Sequence, residues 1–183
     1  MASRATYVPG PASGARVEKG PEQWTLVLVR ELHHPPERVW EALTEPEHLR
    51  EWAPFDTNGT LDKVGATVKV TWAGTGRATV ATVVRLEAPR VLEFGDVRWE
   101  LEPMGKGTRL TLWHAIDRGY IAWGAAGWHI CFDVLDWLLT GAPLGRIAGA
   151  DAMQFEWKRL VAEYGEQFEA GAREGTSKAP ENS

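Results

Sequence analysis

Apolar and polar residues alternate along the middle of the chain with the period of two that is typical of β-strands. A first β-rich run extends from Trp24 to Leu32 and ends before two consecutive prolines, which cannot continue a strand ladder. Later runs are separated by glycine-containing turns at residues 74–76 and 104–107. The pattern therefore predicts an antiparallel sheet of about six to seven strands.

The two turns also predict strand registers. A three-residue turn at 74–76 would pair Trp72 with Ala78 and Val70 with Val80. A four-residue turn at 104–107 places three pairs on one face of the next hairpin: Leu101 with Leu110, Trp99 with Leu112, and Val97 with His114. On its other face it places Glu102 opposite Arg109 and Arg98 opposite Trp113, an ion pair and a cation–π pair that both favour this register.

Helical periodicity of apolar residues appears in four places. Two short helices are predicted from Glu37 to Leu43 and from Pro46 onward, and two longer ones from Ile121 to Leu139 and from Asp151 to Phe168. The order is a strand, two short helices, a run of strands and then C-terminal helices. This order predicts an α+β fold in which a long helix lies across the concave face of a curved antiparallel sheet.

Composition narrows the class of protein. A net charge of −5 and a pI near 5.6 argue against nucleic-acid binding. The apolar stretch from Tyr120 to Leu139 carries Asp133 and Asp136, which argues against a membrane span. A single cysteine and an N-terminus without a signal-peptide pattern predict a cytoplasmic protein, and the 14 Arg against 6 Lys suggest a bacterial source.

Low-complexity segments flank the predicted domain. Residues 1–15, rich in Pro and Gly, are interpreted as a flexible arm, and residues 170–183 as a disordered tail. A single domain is expected over residues 16–169.

Ten tryptophans, against five phenylalanines and three tyrosines, need an explanation. The two-residue period of the strands and the 3.6-residue period of the long helix predict that the side chains of Trp72, Trp99 and Trp128 point inward. Trp52 is expected to close one end of the interior. These rings either line a ligand pocket or simply fill the interior, and their convergence favours a pocket. The predicted wall comprises Trp52, Trp72, Trp99, Leu101, Leu112, His114, Trp128, Cys131 and Leu135.

His114 is the one polar residue of this predicted wall. It could orient a ligand or act as an acid or base, or it could be a structural histidine at a strand end. Arg30, on the inward side of its strand, could anchor a carboxylate or form a salt bridge. The histidine spacing indicates no metal site, and the glycine-rich turns indicate no phosphate or other cofactor site.

The stretch Pro35-Pro36-Glu37-Arg38-Val39-Trp40-Glu41-Ala42-Leu43-Thr44-Glu45-Pro46-Glu47-His48-Leu49-Arg50-Glu51-Trp52 resembles the opening of the activator-of-heat-shock-protein-ATPase homologue family. That family belongs to the START-like (SRPBCC) superfamily. Residues 107–112 and 126–129 are similar to its last strand and long helix. The resemblance implies a helix-grip fold with an apolar cavity between helix and sheet. It leaves function open, because members of the superfamily bind lipids, hormones or polyketides, catalyse cyclisation, or assist chaperones.

The sequence therefore favours binding of a hydrophobic or aromatic small molecule in an internal cavity, without chemistry. One alternative is a cyclase-, aromatase- or hydrolase-type enzyme that uses His114 as acid or base. Another is a protein-interaction module like the chaperone cofactors. Trp113, predicted on the outer face of the sheet, is a candidate for a homodimer contact.

Overall fold

The computed structural model describes residues 3–176, with side chains described up to residue 171. Its one sheet has eight antiparallel strands in the order β1-β2-β8-β7-β6-β5-β4-β3. The strands are β1 Ala15–Lys19, β2 Gln23–Leu32, β3 Phe55–Thr57, β4 Thr67–Trp72, β5 Ala78–Glu87, β6 Val91–Phe94, β7 Val97–Met104 and β8 Gly107–Asp117. The helices are α1 Pro36–Thr44, α2 Pro46–Trp52, α3 Ile121–Leu139 and α4 Trp157–Thr176. Short 3₁₀ turns occupy Arg4–Thr6, Arg118–Tyr120 and Gly149–Gln154.

The predicted helix-grip architecture is confirmed, because α3 packs against the inner face of the curved sheet. Both layers contribute fully buried side chains to one core, including Leu28, Leu110 and Leu112 from the sheet and Phe132 and Leu135 from α3. The sheet has one strand more than the upper end of the predicted range. The short strands β1 and β3 are too brief to show a clear alternation in the sequence. Within the described residues, no helix is long and apolar enough to cross a membrane.

Prolines begin both short helices. Pro36 and Pro46 stand in the first turns of α1 and α2, where an N–H group has no intrahelical acceptor and a proline is therefore tolerated. The two helices bury Leu43 and Trp52. The indole Nε1–H of Trp52 donates to the carbonyl oxygen of Ala42 at 2.9 Å and so ties α2 to α1.

The predicted β7–β8 register is confirmed at every pair. Trp99 lies opposite Leu112, and Val97 lies opposite His114. On the outer face the guanidinium carbon of Arg98 lies 4.0 Å from the ring centroid of Trp113. The strands extend further than expected, so that the turn contains only Gly105 and Lys106.

The predicted β4–β5 register is wrong by one residue. Trp72 N–H donates to the carbonyl oxygen of Arg77, so the turn has four residues and Val70 lies opposite Thr79. Val80 consequently faces solvent with 76% of its surface exposed, while its neighbour Ala81 is buried. Apolar residues occupy both faces of β5, and alternation alone therefore could not decide which face points inward.

The N-terminal residues lie along the helices instead of projecting into solvent. Tyr7 Oη donates to Asp133 at 2.6 Å, and the backbone N–H of Ala12 donates to Glu163 at 2.8 Å. The Pro- and Gly-rich composition that predicted a free arm disfavours regular structure, but it leaves the backbone available for such hydrogen bonds. At the other end, residues 170–176 of the predicted tail continue α4, and residues 177–183 lie outside the described residues.

Candidate functional site

Three of the predicted site tryptophans meet between the sheet and α3. The ring centroids lie 5.9 Å apart for Trp52 and Trp99, 5.3 Å for Trp99 and Trp128, and 6.4 Å for Trp52 and Trp128. Phe132 packs 6.0 Å from both Trp99 and Trp128. The edge-to-face and tilted contacts are those that aromatic rings favour in protein interiors.

These rings fill the space that the sequence assigned to a cavity. Trp52 and Trp99 have no exposed surface, and Leu101, Leu112, Cys131 and Leu135 are at most 3% exposed. Ring centroids only 5–6 Å apart leave no room for a further ring between them. Two surface pockets of about 280 and 240 Å³ lie elsewhere, beside the N-terminal residues and beside α1.

The interior approaches solvent at one end, formed by Trp72, His114 and Trp128 and called here the aromatic end. The rings of Trp72 and His114 stack with an interplanar angle of 2° and a centroid distance of 5.5 Å. Trp128 Nε1–H donates to His114 Nδ1 at 3.0 Å. Trp72 and His114 are partly exposed, whereas Trp128 is buried.

The hydrogen bond from Trp128 determines which tautomer His114 adopts. An indole N–H can only donate, so Nδ1 must supply the lone pair and Nε2 carries the hydrogen of the neutral ring. Burial lowers the pKa of His114 to about 4, which keeps the ring neutral at pH 7. A general base needs a free lone pair, and the lone pair of this ring is already used. His114 is therefore suited to donate a hydrogen bond from Nε2, not to abstract a proton.

The segment between α3 and α4 packs beside the aromatic end, against the β4–β5 turn and β3. Gly149 touches Gly74 in the β4–β5 turn so closely that a Cβ on Gly74 would lie 2.7 Å from the Gly149 Cα. Arg146 binds both carboxylate oxygens of Asp56, at 2.6 and 3.1 Å, and this hydrogen bonding lowers the pKa of Asp56. Arg4 donates to Asp151 at 2.9 Å. This segment is thus held to the sheet and to the N-terminal residues by two ion pairs.

Cys131 faces the segment between α3 and α4 and is structural. Its Sγ lies 3.9 Å from the carbonyl oxygen of Ile147, and burial raises the pKa of the thiol to about 12. A thiol that stays protonated is a poor nucleophile.

Comparison with known proteins now identifies the family. The model of the family described as "Activator of Hsp90 ATPase homolog 1-like protein" matches residues 33–140. The chain belongs to this family. The match includes α1, α2, most of the sheet and α3, and therefore every residue of the aromatic end. No curated protein matches the chain.

Solved structures confirm the fold that the Activator of Hsp90 ATPase homolog 1-like match indicates. The solution structure of CalU16 from Micromonospora echinospora aligns with a TM-score of 0.66 and 23% identity, over 93% of this chain and 99% of that one. MLL2253 from Mesorhizobium loti aligns with a TM-score of 0.57 and 25% identity, over 66% of this chain and 99% of that one. DynU16, described as a putative protein in the dynemicin biosynthetic locus, aligns with a TM-score of 0.58 and 24% identity, over 68% of this chain and 50% of that one.

A polar cluster that the sequence analysis largely missed lies on the other side of α3. Asp133 forms a salt bridge with Arg30 and accepts the hydrogen bond from Tyr7. His129, one turn earlier on α3, is hydrogen-bonded through Nδ1 to the hydroxyl of Tyr164 at 2.7 Å. Burial, together with the Asp133 charge, raises the pKa of Tyr7.

The salt-bridge interpretation of Arg30 is the one observed. The family match covers residues 33–140. Tyr7 and Arg30 precede the matched part, and Tyr164 follows it. The spacing of His129 and Asp133, four residues apart on one helix, was the signal in the sequence that could have indicated this cluster.

Asp133→Asn is expected to lower the free energy of unfolding by about 3 kcal/mol, because it leaves the partly buried Arg30 guanidinium without its counter-charge. Asp136→Asn, on the next turn of the same helix but 44% exposed, should change stability by less than about 1 kcal/mol. Urea unfolding of the two variants checks this. Equal losses of unfolding free energy in the two variants would show that the Arg30–Asp133 salt bridge stabilises the fold no more than an exposed charge does.

Proposed function

We propose that this protein binds an apolar, aromatic small molecule at the aromatic end and performs no chemistry on it. The observation that carries the proposal is the partly exposed stack of Trp72 on His114, in which the hydrogen bond from Trp128 holds the His114 ring. It offers flat aromatic surface and one oriented hydrogen-bond donor where the apolar interior approaches solvent. Recognition sites for small molecules commonly combine these features.

The neutral state of His114 supports an uncharged ligand. Burial is the cause of its lowered pKa, and the aromatic end itself consists of uncharged side chains. A charged ligand would lose its hydration there without gaining an ionic partner. An aromatic ligand of two or three rings would instead gain about 5–8 kcal/mol if its apolar surface were buried, and part of this gain offsets the loss of its translational and rotational freedom.

The relatives provide coarser support. The chain shares its fold with DynU16, whose description associates that protein with a biosynthetic locus. Binding of a small molecule by this chain agrees with that association.

The experiment is a calorimetric titration of the protein with fluorene, an uncharged three-ring hydrocarbon, and with decanoic acid, a flexible aliphatic acid. Fluorene should bind saturably and raise the melting temperature, while decanoic acid should bind far more weakly. Trp72→Leu removes the stacking surface and should weaken fluorene binding at least tenfold. If neither compound binds the wild-type protein saturably, the proposed function is wrong.

Trp113→Leu is the matched control, because Trp113 lies on the outer face of the sheet under the guanidinium of Arg98. Fluorene binding should be unchanged in this variant. The homodimer through the outer face around Trp113 stays a prediction. Arg98 covers one face of the ring and so reduces the apolar surface available for such a contact.

A further inference from the structure

A row of aromatic side chains reaches the surface where α3 begins. Tyr120 is 56% exposed and Trp123 is 51% exposed. Their ring centroids lie 5.3 Å apart, and the ring of Trp157, the first residue of α4, packs 5.6 Å from that of Trp123. Tryptophan is on average a highly buried residue, so adjacent exposed rings indicate a surface that contacts something else.

Two cations continue this aromatic surface at the ends of β1 and β8. The ammonium nitrogen of Lys19 and the guanidinium carbon of Arg118 lie 5.1 and 5.8 Å from the ring centroid of Trp24. Arg118 and Tyr120 belong to the same 3₁₀ turn, so the cations adjoin the exposed rings. We call the whole set the aromatic–cationic patch: Lys19, Trp24, Arg118, Tyr120, Trp123 and Trp157.

The cations of this patch are available to a partner. Lys19 and Arg118 are exposed, as is Lys158, which follows Trp157. Among the described residues, none of the three forms a salt bridge.

Fewer carboxylates than cations remain unpaired in these segments. Glu18 and Glu156 form salt bridges with arginines outside the patch. Asp117 accepts the backbone N–H of Gly119 at 2.8 Å, and Glu22 lies in the turn before β2. The patch is therefore locally cationic, although the chain as a whole carries a net charge of −5.

We infer that the aromatic–cationic patch docks the protein onto an anionic lipid surface. Trp and Tyr rings are enriched at the level of lipid headgroups, because each has an apolar body and a polar edge. Lys and Arg beside them gain energy from anionic headgroups. An anionic surface repels the rest of this acidic chain, so charge complementarity selects the patch as the face that docks. This inference goes beyond the proposed function and does not depend on it.

The experiment is co-sedimentation of the protein with vesicles of phosphatidylcholine, alone or mixed with phosphatidylglycerol. The wild-type protein should bind the mixed vesicles at least about tenfold more tightly than the neutral ones. Trp123→Ser, which removes an exposed ring, should weaken binding to the mixed vesicles about tenfold. Arg118→Gln, a surface substitution, should weaken it about fivefold.

Two matched variants control for the loss of a tryptophan and of a cation elsewhere. Trp113→Ser changes the outer face of the sheet, and Lys106→Gln changes the exposed turn at the opposite end of β8. Both should bind the mixed vesicles as the wild-type protein does.

Three results would overturn the inference. One is that the wild-type protein does not sediment with the mixed vesicles or binds neutral vesicles equally well. Another is that the patch variants bind as tightly as their matched controls. The third is a wild-type dimer that Trp123→Ser converts to a monomer in analytical ultracentrifugation, which would assign the patch to a second copy of this chain.

Discussion

Trp52→Phe lowers the free energy of unfolding more than Trp99→Phe does, by a difference of about 1–3 kcal/mol. Both side chains are fully buried in the same cluster, and both substitutions remove the same volume. In Trp52→Phe the carbonyl oxygen of Ala42 loses its donor, whereas Trp99→Phe removes a donor that has no partner. Only the first change creates a new unsatisfied group.

Urea unfolding at pH 7 measures this difference. The slope of the free energy of unfolding against urea concentration should be the same for the two variants and the wild-type protein. An unchanged slope means that the surface exposed on unfolding is unchanged. A larger loss in Trp99→Phe than in Trp52→Phe would mean that the Trp99 N–H is well satisfied in solution.

Acidification from pH 7 to pH 4 destabilises the wild-type protein more than His114→Asn. The folded protein holds the pKa of His114 near 4, below the ordinary value of 6.5. The stability that comes from this neutral ring is therefore fully present above pH 6.5 and is lost as the pH falls towards 4. The difference between the two proteins should reach roughly 1–3 kcal/mol at pH 4, the partial exposure of the ring keeping it below the full shift.

Asparagine suits this comparison because its amide oxygen can accept the Trp128 N–H in place of Nδ1 and never carries a charge. Other acid-sensitive groups, including Asp56 and His129, are present in both proteins and cancel in the difference. Denaturant unfolding at pH 8, 6, 5 and 4 provides the curves, with pH 8 as the reference at which both side chains are neutral. Parallel curves for the two proteins would contradict the assigned state of His114.

The sequence could predict the fold wherever several weak signals agreed. In the β7–β8 hairpin, apolar pairs on one face and the Glu102–Arg109 and Arg98–Trp113 pairs on the other all required the same register. In the β4–β5 hairpin, by contrast, adjacent valines and alanines on both faces of β5 satisfied two registers equally well. The backbone hydrogen bond from Trp72 to Arg77 in the turn determines the register, and the side-chain pattern does not predict this hydrogen bond.

The candidate site shows a different limit. The periodicities of strand and helix correctly predicted that Trp99 and Trp128 point inward. Trp52, which was expected to close one end, packs against both of them. Phase says nothing about how much space remains, and the structure shows rings in contact where a cavity was expected. The polar cluster around Asp133 includes Tyr7 and Tyr164, which come from the two ends of the chain. Contacts between residues so far apart in sequence cannot be predicted from a local pattern.

The measurement that tests the central claim most directly is the map of chemical-shift changes on addition of fluorene to ¹⁵N-labelled protein. We expect the largest changes in the indole resonance of Trp128 and in the backbone amides of Trp72 and His114. The backbone amide resonances of Arg98 and Trp113, on the outer face of the sheet, should not shift. Changes concentrated on the outer face or beside the N-terminal residues, with Trp72 and His114 unmoved, would contradict binding at the aromatic end.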